Sequence, residues 1–267
     1  MSELVKRAIT GSVYVALTLG AAWAGPFTTT LLFLPVCAMA AWELHRLAAK
    51  DLPSMGPAMP VAAATIVYLA MALAALPGPA TPLAALAVAF LVVVAATVEV
   101  LWRPEAQPRQ EMGLLLLVIG LVALPFGLIP TLMLEGPWLF IGFMLLLWTN
   151  DTGAYLVGRA IGRTGLLRRV SPKKTVEGLA GGIALAMGVG VLLARTHPVL
   201  DTTGWVVAAA VVAVTSTLGD LLESAFKRQA GVKDSGKVLP GHGGILDRFD
   251  GFLLAMPAMV ITVELLR

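Results

Sequence analysis

Near-uncharged runs of membrane-spanning length recur along the chain, at about residues 8–25, 28–44, 60–76, 81–101, 112–134, 137–157, 178–194, 204–228 and 249–266. A helix crossing a bilayer needs about 20 apolar residues, with about 17–25 tolerated. Barrel strands would instead appear as alternating segments of about 10 residues, and that pattern is absent. Backbone groups in lipid must be satisfied internally, so the runs predict helices. The expected fold is all-α: a polytopic integral membrane protein of about nine transmembrane helices. Composition agrees. Of 267 residues, 58% are hydrophobic and 13% charged, where a soluble domain carries about 45–50% and about 25%. Mean hydropathy is +0.87. An ordinary soluble enzyme and a disordered chain are both excluded. The single Cys37 leaves no intramolecular disulfide and no cysteine metal cluster.

Charge placement predicts topology. The chain has 19 Lys and Arg, and the nine-span reading puts all but Arg195 and Arg267 on one side. The positive-inside rule then sets the N-terminus in the cytosol and the C-terminus outside, in the cell (inner) membrane. Lys6-Arg7, the apolar run and Ala22-Trp23-Ala24 also fit a signal peptide; an uncleaved first helix is the favoured expectation. Residues 1–140 form a generic transmembrane region. Residues 141–267 are expected to form the catalytic region if the chain carries chemistry, since they hold two long charged, Gly-containing cytosolic loops, 159–177 and 228–250.

Three constellations carry candidate chemistry. Asp151, in Trp148-Thr-Asn-Asp-Thr-Gly-Ala-Tyr155, lies inside an apolar run. A charge at bilayer depth costs about 2.5–3.5 kcal/mol and marks a functional candidate; pairing with Arg159 or a helix break at Asn150 is the plainer reading. Ser171-Pro-Lys-Lys-Thr-Val-Glu-Gly178 precedes the seventh span. It suits a helix cap, while Lys173 and Lys174 suit a phosphate. In the eighth span Asp220, Ser224 and Lys227 stand at i, i+4 and i+7 on one face, with Glu223 adjacent. Asp220 lies about 24 Å along that helix from Gly204 at 1.5 Å per residue, near headgroup depth.

The loop that follows carries Lys233, Asp234, His242, Gly243 and Gly244, then Asp247-Arg248-Phe249-Asp250. Asp220 and Asp247 are hard oxygen ligands suited to Mg²⁺, which takes one or two carboxylates plus substrate phosphates. Glycines beside a helix N-terminus let backbone N–H groups approach an anion, and Lys227, Arg228 and Lys233 can neutralise phosphate oxygens. These are parts for phosphoryl or nucleotidyl transfer. Gly231 to Lys237 is not a P-loop, since Val238 follows and no strand precedes. Gly158, Gly162, Gly178, Gly181, Gly182, Gly188 and Gly190 read as helix-packing residues. Glu43, Glu99 and Glu264 read as buried or interfacial polar side chains.

The run Ser224–Asp250 resembles the signature of the phosphatidate cytidylyltransferase (CDP-diacylglycerol synthase) family. Asp151-Thr-Gly-Ala-Tyr155, Gly158-Arg159 and Ser171–Gly178 are similar to its upstream motifs, so the likeness covers about residues 148–251. Gly251 stands where many members have Ser. The resemblance implies that CTP and phosphatidate give CDP-diacylglycerol and pyrophosphate, with Mg²⁺, K⁺ as a second cation, a homodimer and a cytosolic-facing site. It implies Asp220, Ser224, Lys227 and Asp247 as catalytic, with Asp220 and Asp247 as metal ligands. Substrate contacts would come from Lys173, Lys174, Arg228, Lys233, His242, Gly243, Gly244 and Arg248; Asp151, Glu223, Asp234 and Asp250 would support them. Arg248 pairing with Asp220 or Asp250 is the competing expectation. No nucleic-acid partner is expected.

Two other classes compete. A CTP-dependent polyprenol kinase would move the γ-phosphoryl group instead. A transporter would also place charges in spans, but usually shows two related halves, and none are seen. The D-G-x-x-A-R pattern of alcohol phosphatidyltransferases is absent, since Asp250-Gly251 continues Phe-Leu-Leu-Ala.

Overall fold

A computed structural model of the chain describes residues 3–49, 52, 56–197, 199–236, 238 and 243–266, with side chains from residue 9 onward. The elements are α1 (Glu3–Ala24), α2 (Pro26–Ala48), α3 (Ala58–Ala75), α4 (Pro82–Trp102), α5 (Pro108–Val118) and α6 (Leu124–Gly127), then α7 (Trp138–Ile161), β1 (Gly165–Leu167), β2 (Ser171–Thr175), α8 (Val176–Thr196), α9 (Thr202–Gln229) and α10 (Leu246–Leu266). The fold is all-α and polytopic, as the hydropathy blocks predict. Among the described residues, eight helical stretches are long and apolar enough to cross a membrane. The first expected span is helix α1, whose described apolar stretch is the shorter Ile9–Ala24.

Local chemistry explains the breaks. Gly25 takes φ +113 and joins α1 to α2 in one residue, with Pro26 at the first helical position. The expected span at 112–134 is one stretch, Pro108–Met133, but not one regular helix. A π-helical turn at Ile119–Ala123 precedes α6, and a 3₁₀ turn at Ile129–Met133 follows. Pro125 and Pro130 lack the N–H that a continuous ladder needs. Thr175 caps α8 through the Gly178 N–H at 3.1 Å, and Asp201 caps α9 through the Gly204 N–H at 2.6 Å.

One segment departs from expectation. The stretch 159–177, read as a loop, contains an antiparallel hairpin pairing Gly165 with Thr175 and Leu167 with Ser171. Glu177 holds it down by accepting the Arg163 N–H at 3.1 Å and the Thr164 N–H at 3.1 Å. The acid at the start of α8 thus serves the hairpin while Thr175 serves the helix.

Close helix crossings position the site. A Cβ at Gly178 would sit 2.8 Å from the Ala154 carbonyl, and one at Gly182 2.8 Å from that of Asn150, so α7 and α8 meet backbone to backbone. Gly190 is held the same way against Trp205, whereas a side chain at Gly188 would meet nothing. At the α9–α10 crossing, a Cβ on Gly251 would lie 3.2 Å from that of Ser216. The core beneath is aromatic. Phe33, Phe126, Phe140, Phe143 and Phe252 are at most 1% exposed, and Phe126 stacks on Phe252 at 4.9 Å.

Candidate active site

Charged side chains converge where the C-terminal halves of α7 and α9 and the start of α10 meet the hairpin. They line a cavity of about 580 Å³. Asp151 comes from α7, Lys173 and Lys174 from β2, Asp220 from α9, and Asp247, Arg248 and Asp250 from α10. These seven residues, singled out by type and spacing, are brought together. Arg159 and Asn150 of α7 join them.

The polar side chains are held in layers. At the cavity wall, Asp220 Oδ2 pairs with Lys174 Nζ at 2.5 Å, and its Oδ1 accepts from Ser224 Oγ at 3.2 Å. Ser224 therefore supports Asp220 from one turn along α9. Asp151 does not pair with Arg159, which donates to Tyr155 Oη at 3.2 Å. Asn150 does not break the helix; its amide donates to Ser216 Oγ at 3.0 Å and ties α7 to α9. Arg248 makes no ion pair with Asp220, Asp250 or any other described residue.

A buried layer lies behind. Lys227 is 8% exposed and does not line the cavity. Its ammonium donates to Asp247 Oδ1 at 2.7 Å and pairs with Glu223, itself buried. Lys227, expected to neutralise phosphate oxygens, is instead engaged by Glu223 and Asp247 behind the cavity. The i,i+4 pair with Glu223 and the reach to Asp247 turn Lys227 inward. Asp247 Oδ2 accepts from the Ser235 N–H at 2.9 Å, Ser235 Oγ at 3.0 Å and the Gly244 N–H at 2.8 Å.

Glu43, expected as a buried or interfacial polar side chain, completes this layer. It is fully buried on α2. Its carboxylate accepts from Ser235 Oγ at 2.9 Å, the Ile245 N–H at 3.1 Å and the Leu246 N–H at 2.8 Å. The first N–H groups of a helix have no partner within it and favour a negative charge. Glu43 thus caps α10 from a helix about two hundred residues away in sequence. The only sequence signal was an acid within an apolar run.

The remaining predictions separate. Arg228 turns away and donates to the Val232 carbonyl at 3.1 Å. Lys233 and Asp234 line a different hollow, with Trp42 and Arg46. Gly243 takes φ +84 in the loop, and Gly244 packs directly on Ser235 and Glu43, where no side chain fits. Both glycines shape the loop rather than line the cavity. His242 lies outside the described residues.

The sequence model of the cytidylyltransferase family matches residues 5–266. The chain belongs to this family. It is 43% identical over 122 residues to the phosphatidate cytidylyltransferase of Bacillus subtilis (strain 168), covering 45% of each chain. Against that of Staphylococcus epidermidis (strain ATCC 12228 / FDA PCI 1200), identity is 45% over 119 residues, covering 44% of this chain and 45% of the relative. Against that of Staphylococcus aureus (strain COL) it is 43% over 130 residues, covering 48% and 49%. The chain spans about half the length of the curated relatives it matches. Within this cytidylyltransferase-family chain, the mixed-charge cavity between α7, α9, α10 and the hairpin is the candidate active site.

Among the described residues, no three His, Cys, Asp or Glu side chains form a ready-made metal cage. The cavity offers carboxylate oxygens and no thiolate. That donor set fits a hard cation that completes its shell with water and substrate phosphate.

Proposed function

We propose that this chain condenses CTP with phosphatidate to CDP-diacylglycerol and pyrophosphate, as an integral-membrane nucleotidyltransferase of phospholipid biosynthesis. The observation that carries the reading is the cavity itself. Three cations on its wall, Lys173, Arg159 and Arg248, have no ion pair to a described residue. They face carboxylates at one end of spanning helices. Such a site suits one water-soluble triphosphate and one membrane-held phosphate.

The chemistry asks little of a base. The phosphatidate phosphate is already anionic. One of its oxygens forms a bond to the α-phosphorus of CTP, the bond from that phosphorus to the bridging oxygen breaks, and pyrophosphate leaves with the electron pair. Positioning and charge neutralisation then dominate. Lys173, Lys174 and Arg248 bind phosphate oxygens; Ser224 and Lys227 keep Asp220 and Asp247 in place. Asp220 and Asp247 are the residues that would hold Mg²⁺, whose contribution when bound is to neutralise and orient phosphate oxygens. K⁺ as a second cation belongs to the same reading, as does the homodimer.

The cavity is proposed to face the cytosol, with the N-terminus on that side, in the cell (inner) membrane. The skew of Lys and Arg supports this. The test is product analysis with purified protein in mixed micelles, given phosphatidate, CTP and Mg²⁺. CDP-lipid and pyrophosphate, lost on adding EDTA, are expected. In a parallel arm supplied with a polyprenol, CDP with newly phosphorylated polyprenol would instead make the chain a lipid kinase.

A further inference from the structure

A second cavity, of about 340 Å³, lies between α1, α2, α7 and α10. Its wall is apolar: Val13 and Leu17 of α1, Leu32, Phe33 and Val36 of α2, and Phe249 of α10. Tyr14 closes one side, edge-on to Trp148 at 5.9 Å and to Phe249 at 5.6 Å. Asp151 and Arg248 line both this groove and the polar cavity, so the two spaces meet at those side chains. Val13 and Leu17 are 51% and 54% exposed, which leaves the groove open toward the bilayer. From Thr10 to Thr18 it follows α1 for about 12 Å at 1.5 Å per residue.

We infer that this groove holds an acyl chain of the lipid substrate, with Arg248 at its mouth receiving the phosphate. The inference rests on the phosphatidate reading of the polar cavity. Its own support is continuity and charge. An apolar channel that ends at a guanidinium which, among the described residues, makes no ion pair within 4 Å, with the Asp151 carboxylate beside it, fits an acyl chain attached to a phosphate. The groove is also distinct from the outward apolar face of α4, where Leu86, Phe90 and Leu91 are more than 60% exposed and adjoin no charged cavity.

Photolabelling tests this on the full chain in mixed micelles. The probes are phosphatidate and phosphatidylcholine carrying a diazirine in one acyl chain. Phosphatidate adducts are expected on Leu17, Leu32 and Val36, at about tenfold the level from the choline probe and displaced by unlabelled phosphatidate. Equal labelling by both probes, or adducts centred on α4, would mean bulk lipid only and would overturn the assignment. A second arm uses Gly11→Leu. Gly11 lines the groove, and an added Cβ there meets nothing within 4 Å. The ratio of kcat/KM for long-chain over short-chain phosphatidate should fall about tenfold; an unchanged ratio would contradict the groove. If the wild-type chain makes no CDP-lipid, the reaction fails while the photolabelling still judges the groove.

Discussion

Glu43 and Asp247 perform one task from two helices. Both carboxylates collect N–H and O–H donors from the loop at Ser235 and from the start of α10. A buried donor left without an acceptor costs about 1–3 kcal/mol, and Glu43 alone satisfies two, the Ile245 and Leu246 N–H groups, while the single Ser235 O–H also reaches Asp247. Glu43→Ala is therefore expected to lower stability by about 2 kcal/mol or more, and Glu43→Gln by less, since an amide oxygen still accepts. Thermal unfolding in detergent reads both; equal melting of wild type and Glu43→Ala would refute the role. The contrast with Asp220 shows what sequence can carry. Asp220, Lys173, Lys174 and Arg248 were legible because each stands in a short polar motif. Glu43 was not, because its partners lie about two hundred positions away. The direction of the Lys227 side chain was not legible for a related reason. Helical spacing gives the face but not the direction of a long side chain, and Glu223 with Asp247 draws the ammonium inward.

At the scale of elements, the spans were legible because each apolar run is long enough to be one helix. The irregular turns around Pro125 and the hairpin after α7 were not. Ser171-Pro-Lys-Lys-Thr175 has no alternation of apolar positions and reads as loop. What makes it a strand is the Gly165–Leu167 partner and the grip of Glu177 on Arg163 and Thr164. The hairpin matters because β2 carries Lys173 and Lys174 to the cavity. Glu177→Ala should loosen the hairpin without touching the cavity wall. Steady-state kinetics should show KM for CTP raised about three- to tenfold with kcat less affected. A loss confined to kcat would place Glu177 in the chemistry instead.

Across the whole molecule, the packing of α7 on α8 and of α9 on α10 through small residues brings charged stretches of α7, α9 and α10 to one place. One end of the bundle thus carries a polar cavity joined to an apolar groove. On the proposed function, a phosphorylated lipid and a nucleotide would meet there without either leaving its own phase. Asp220 stands at the centre of that account, with Lys174 across from it and Ser224 behind. Its side chain is 32% exposed, so its pairing adds little to stability. The most direct test follows CTP labelled in its α-phosphate, with phosphatidate and Mg²⁺, in wild type and in Asp220→Asn at matched melting temperature. The account predicts label in the lipid phase for wild type, and a rate at least about a hundredfold lower for the variant. Label that stays aqueous with wild type, or an Asp220→Asn protein at the wild-type rate, would contradict it.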